Sequence, residues 1–174
     1  MSESDEWRSA IAPAEDLLRL GKQLVSDASE ALSARQANGA VRVGHGDVRP
    51  EHVYVDGGVV RIIDPLDFSL PLRTNDVLSD IAFLVTDLYD LGSDDVAGAL
   101  IRSYHSATMW KEHFPAVLSL FTAQKAAVRS YICWLQASES KDRVMLLARA
   151  DRYARFGLCA SHWVGQHVDD HASA

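Results

Sequence analysis

Two carboxylates carry the chemical interest of this sequence. Asp47 lies in a tight loop, Gly44-His45-Gly46-Asp47, and Asp64 closes an apolar run that ends just before Pro65. A carboxylate fixed on such a loop can align an attacking hydroxyl and take its proton. A second carboxylate close by can hold a hard, oxygen-preferring cation that offsets charge on an anionic substrate. Taken singly, Asp47 is a turn residue and Asp64 a strand-ending carboxylate. Taken with their spacing to each other and to the apolar helix beyond Asp76, they form a pair: Asp47 the candidate base, Asp64 the candidate metal ligand.

The elements that must position this pair can be read from periodicity. Leu17, Leu18, Leu20, Leu24, Val25, Ala28, Ala31 and Leu32 recur at helical spacing, which predicts one amphipathic helix from Pro13 to about Gln36, ended by Asn38 and Gly39. Val41-Arg42-Val43 reads as a short strand leading into the loop. Val53 to Val55 and Val59 to Ile63, separated by Asp56-Gly57-Gly58, predict a hairpin between the two carboxylates. Asp64 to Asn75 holds two prolines and no clear period and is expected to be a loop, with Thr74 or Asn75 capping the next helix. Beyond Asp76 the chain reads as helical, with later stretches at Asp94 to about Thr108, Pro115 to about Ala137 and Lys141 to about Trp163. Trp110, Phe114, Phe121, Trp134, Met145 and Phe156 are expected in the core.

The run His45-Gly46-Asp47-Val48-Arg49-Pro50-Glu51-His52-Val53, followed by Ile62-Ile63-Asp64, resembles the catalytic loop and metal-binding segment of the aminoglycoside phosphotransferase, kinase-like family. That pattern is H-G-D-x-x-x-x-N and then an apolar strand ending in Asp. The resemblance continues through Asp67-Phe68, Arg73, Asn75-Asp76-Val77 and Ser79-Asp80-Ile81-Ala82-Phe83-Leu84, and is closest to phosphotransferase-like domains fused to bacterial P-loop kinases. Farther on, Lys125 and Arg129 are similar in placement to the family's Arg-Ala-x-Val-Arg segment.

The resemblance implies a mostly helical α+β fold, the C-terminal lobe of a kinase-like protein with a small hairpin. It implies phosphoryl transfer from ATP, with Mg2+, to a hydroxyl of a small molecule. Asp47 would be the base and Asp64 a metal ligand. His45 would tie the loop to the Asp64 segment, and Asp80 would hold the loop from below through backbone hydrogen bonds, the alternative for Asp80 being a first-turn carboxylate that stabilises its helix dipole. The resemblance has two departures. His52 stands where the family has Asn, and an imidazole suits zinc, copper or nickel better than magnesium. Residues 1–44 read mainly as helix, with Gly21, Gly39, Gly44 and the single lysine Lys22, so no phosphate cradle can be drawn and the N-lobe is expected to be absent. The alternative from another class is a non-catalytic, pseudokinase-like binding or scaffolding module.

Whole-chain properties bound the rest. A chain of 174 residues, 48% hydrophobic and 24% charged, has room for one packed domain. The expected division is a flexible segment over 1–12, the lobe over 13–164 and a flexible tail over 165–174. A formal net charge of -7 argues against nucleic acid or anionic membrane as a partner. An N-lobe chain or self-association is the expected macromolecular partner. Cys133 and Cys159 are read as free thiols, no signal peptide or membrane span is seen, and a cytoplasmic location is expected. His162, His167, Asp169, Asp170 and His171 are read as a frayed tail, and Arg149, Arg152 and Arg155 as a solvated helix face.

Overall fold

The computed structural model describes residues 16–17 and 19–169. Its elements, in order, are helix α1 (19–27), α2 (Ser29–Ala37), strand β1 (Val41–Val43), β2 (Val53–Asp56), β3 (Val59–Ile62), α3 (Leu70–Arg73), β4 (Thr74–Asp76), α4 (Leu78–Asp90), α5 (Asp94–Ala107), α6 (Phe114–Ala137) and α7 (Arg143–Asp169). A single 3-10 turn, Pro50–His52, leads into β2. The architecture is α+β and mostly helical, as the patterning implies.

The core lies where α4, α5, α6 and α7 meet. Leu78, Val85, Ile101, Phe114, Val117, Leu118, Phe156 and Val164 are fully buried there, each contributing about 1.5–3 kcal/mol of transfer free energy. Tyr89 stacks on Phe156 with ring centroids 3.8 Å apart, and Trp163 meets both rings edge-on. A smaller cluster of Leu17, Ala123, Ala154 and Ala160 fastens the N-terminal helix to α6 and α7.

The expected single N-terminal helix is interrupted by a turn at Ala28, although the helical hydrogen bonds on either side of it persist; Pro13 lies outside the described residues. Its end is a Schellman arrangement: Gly39, at φ 76°, donates to the Gln36 carbonyl and Ala40 to that of Arg35. The hairpin forms as expected, β2 pairing antiparallel with β3 in the register Val53↔Ile62.

Four local expectations need correction. Residues 64–75 are not loop throughout, since α3 and β4 lie in them and β4 pairs antiparallel with β1, Val41 opposite Asp76. The residue that caps α4 is Asp76, whose Oδ1 accepts the Leu78 amide at 2.9 Å. Thr74 and Asn75 turn instead to the Leu70 and Leu72 carbonyls. Met145 is exposed, and Trp110 and Trp134 are only partly buried, whereas Phe114, Phe121 and Phe156 are core. Finally, α7 runs on to Asp169, so residues 165–169 are helical, and His167 stacks on Trp163 with its Nδ1 on that residue's carbonyl; Asp170 and His171 lie outside the described residues.

Candidate functional site

The loop between β1 and the 3-10 turn is shaped by Asp80, in the first turn of α4. Its Oδ2 accepts the His45 amide at 2.7 Å and its Oδ1 the Gly46 amide at 2.8 Å, so one carboxylate satisfies two successive backbone donors. Such charge-assisted bonds are roughly twice as strong as neutral ones. Only glycine fits beside this clamp. A Cβ on Gly44 would collide with the Asp80 carboxylate, and Gly46 sits at φ 88° against Arg73 and Leu66. Arg73 closes the far side, its Nε donating to the Gly44 carbonyl at 2.9 Å while its own carbonyl accepts the Gly44 amide.

His45 is structural in this geometry. Its Nδ1 lies 3.3 Å from the Asp47 amide and its Nε2 2.8 Å from the Ile63 carbonyl. Because the Asp47 N–H donates to Nδ1, the ring proton belongs on Nε2, which donates to Ile63. The imidazole therefore bridges the Asp47 loop and the residue before Asp64. That next residue adopts φ 62°, an uncommon backbone state for a non-glycine residue and a costly one before a proline. Such outliers concentrate at functional sites.

Asp47 presents a side chain that is 31% exposed. Arg129 of α6 lies 3.2 Å from its Oδ1, and among the described residues no hydrogen bond engages Oδ2. Arg129 is itself fixed by a buried bidentate pair with Asp87 of α4, at 2.9 and 2.7 Å, which Tyr153 of α7 joins through its hydroxyl. Burial works against the charge on Arg129, but Asp87 and then Asp47 more than offset it, so its pKa is raised. Lys125, one helical turn earlier, is buried with its Nζ 4.3 Å from the Phe83 ring. Burial pushes its ammonium pKa down to about 8 in spite of Asp80 and Asp47 nearby.

His52 and Asp64 meet at the mouth of the loop. His52 is 12% exposed and its Nδ1 lies 3.0 Å from the Asp47 carbonyl, while its Nε2 is 3.7 Å from Oδ2 of Asp64, which is 79% exposed. The structure thus gathers His45, Asp47, His52 and Asp64 into one region. Among the described residues no group of three or more His, Cys, Asp or Glu side chains converges as a metal cluster. A cavity of about 550 Å3 borders the loop on its Asp80 side, between the hairpin and α4–α5; Asp47, His52 and Asp64 do not line it.

Sequence reasoning passed over Asp87, and it placed Lys125 and Arg129 only through a likeness. A signal was available: Asp80 and Asp87 recur seven apart on apolar α4, and Lys125 and Arg129 four apart on apolar α6. Charges repeating on the apolar face of two helices indicate a buried network between them. Arg149 and Arg152, read as a solvated face, both bind Asp90, and Arg155 pairs with Asp151.

No family model matches the chain. No solved structure matches it either. Three uncharacterized proteins, two from strains of Mycobacterium tuberculosis and one from Mycobacterium bovis, are each 28% identical to it over 141 residues. The matched stretch covers 80% of this chain and 27% of each relative, so the chain spans about a quarter of the length of these proteins. Among the described residues no helix is long and apolar enough to cross a membrane.

Proposed function

We propose that this chain is the catalytic lobe of a kinase-like phosphotransferase of the aminoglycoside phosphotransferase type, acting on a hydroxyl of a small molecule with ATP as donor. The observation that carries the reading is the clamp of Asp80 on the His45 and Gly46 amides, which fixes the backbone that presents Asp47. With Oδ1 held near Arg129, Oδ2 of Asp47 is the oxygen that can accept the hydroxyl proton. The Arg129 charge keeps the carboxylate oriented while the acceptor approaches, and positioning of this kind supplies much of the rate in phosphoryl transfer.

The family resemblance implies Mg2+ together with ATP. The Asp64 carboxylate suits a hard cation, but the partner atom beside it is an imidazole nitrogen, which magnesium disfavours. The donor pair therefore does not fit magnesium. Upstream of β1 the described residues are mainly helical, so the groups that cradle a triphosphate would come from another segment or chain.

The test is ADP release from ATP by the 174-residue chain with aminoglycosides, choline-like alcohols and sugars, against Asp47→Asn. Background release by both is expected from the lobe alone, together with calorimetric ATP binding that Asp64→Asn weakens. Turnover that vanishes in Asp47→Asn would show that one lobe suffices. Absence of any nucleotide binding would favour the binding-module alternative, which the His52 substitution supports.

A further inference from the structure

Resting on the phosphoryl-transfer reading above, we propose that Lys125 binds an anionic group of the acceptor, a carboxylate or phosphate, so that the reacting hydroxyl belongs to a negatively charged small molecule rather than a polycation. Lys125 lies one helical turn before Arg129 on α6. Both cations stand over the Phe83 ring, Nζ of Lys125 at 4.3 Å and the guanidinium carbon of Arg129 at 4.9 Å from its centre. Arg129 in turn reaches Asp47 at 3.2 Å, so the Lys125 ammonium belongs to the cluster that holds the candidate base.

This ammonium is left without an oxygen partner. Lys125 is 8% exposed, yet among the described residues no hydrogen bond engages Nζ, and the face of Phe83 is a weaker partner than a charged oxygen. The carboxylates nearby are committed elsewhere. Asp80 accepts the His45 and Gly46 amides, and Asp87 accepts two nitrogens of Arg129 and the Tyr153 hydroxyl. Arg49 repeats the pattern, its Nε buried without an acceptor and 3.6 Å from Oδ2 of Asp87. Two buried cationic donors of one cluster thus lack an acceptor oxygen, which costs the free protein and is relieved by a ligand that brings negatively charged oxygens. Lysine suits that task, as a point charge with three donors on a flexible stem.

The elements involved separate acceptor from nucleotide. Asp64, which the phosphotransferase reading gives to ATP, is joined to the Asp47 loop from the hairpin, through His45 and His52. Lys125 and Arg129 come from α6, in the helical body. The nucleotide then meets Asp47 from the hairpin side and the acceptor from the α6 side.

The test uses the full 174-residue chain, with glycerol 3-phosphate and glycerate as anionic probes, glycerol and choline as neutral and cationic controls, and the lysine side-chain resonances as readout. Both anions are expected to move the Lys125 resonance and to raise its titration midpoint from about 8 toward 10.5, while glycerol and choline leave it in place. Burial sets the low midpoint of the free chain, and the charged groups acting on Lys125 are Asp80 from α4, Asp47 from the loop and Arg129 from its own helix. Lys125→Met is expected to weaken anion binding by at least about tenfold with an unchanged circular dichroism spectrum. Anion affinity unaltered in Lys125→Met, or choline moving the resonance as far as the anions do, would overturn the assignment. So would ATP alone moving Lys125 while both anions leave it unmoved, since the anionic group would then be the donor's phosphate. ATP binding that Asp64→Asn weakens tests the phosphotransferase reading separately. If that binding is present and neither anion acts on Lys125, only the acceptor inference falls. If it is absent and the anions bind through Lys125, the phosphotransferase reading falls and the anion site stands.

Discussion

The helical body and the loop-and-hairpin segment are held together by different forces. In the body, Ile101, Phe114, Leu118 and Phe156 lose all exposure and stability comes from apolar packing. In the segment, all four residues of β3 are exposed and Val55, Val59, Val60 and Ile62 face solvent, while the backbone is fixed by Asp80, Arg73 and His45. Packing tolerates volume-conserving exchange, whereas a clamp of charge on backbone amides depends on particular atoms. The site is therefore stiff at its base and bare along its apolar hairpin. A two-stranded hairpin is marginal by itself, and these side chains are available to whatever covers them.

The pair joining the two regions should give the largest effect. Arg35 and Asp76 are almost fully buried, bonded at 2.7 and 2.8 Å, and Arg35 also donates to the Trp110 and Glu112 carbonyls. Asp76→Ala would strand a buried guanidinium and is expected to cost about 3–5 kcal/mol, measured by urea unfolding. Asp80→Ala comes next, at about 2–4 kcal/mol, because two amides lose their acceptor. Hydrogen exchange at His45 and Gly46 should rise by more than at core amides of α6; uniform acceleration would show that the clamp is not local.

A smaller effect sharpens the contrast by pH. The Lys125 pKa falls from 10.5 to about 8, so between about pH 8 and 10 the unfolded chain binds more protons than the folded one and stability should rise with pH. Lys125→Met removes the cost of burying the charge. The variant is expected to unfold at a higher urea concentration at pH 7 and to lose that upward slope. A slope unchanged by the substitution would assign it to other groups. The smallest effect belongs to the hairpin, where Val60→Thr should shift stability by no more than about 0.5 kcal/mol, whereas Val117→Thr in the core should cost well over 1 kcal/mol.

Much of this division was legible in the sequence. Long apolar periodicity located α5, α6 and α7, and the β-branched runs about Gly57-Gly58 located the hairpin, because local pattern determines each of them. The pairing of β1 with β4 was not legible. Each strand has three residues, β4 is Thr-Asn-Asp, and their partnership depends on backbone contacts between distant segments. Asp47 and Asp64 could be nominated from spacing and His52 only through the family resemblance, but the tautomer of His52 and the Arg129 contact to Asp47 depend on tertiary placement alone. The Arg35–Asp76 pair was hidden for the same reason, since nothing local links a helix arginine to a strand aspartate so far along the chain.

The most direct test of the central claim is a titration of the 174-residue chain with ATP and divalent ion, followed at its assigned backbone amides. Shifts concentrated at Gly46, Asp47, His52 and Asp64, and lost in Asp64→Asn, are the result the account requires. Shifts confined to α7, or none at any ATP concentration while the chain remains folded, would contradict it.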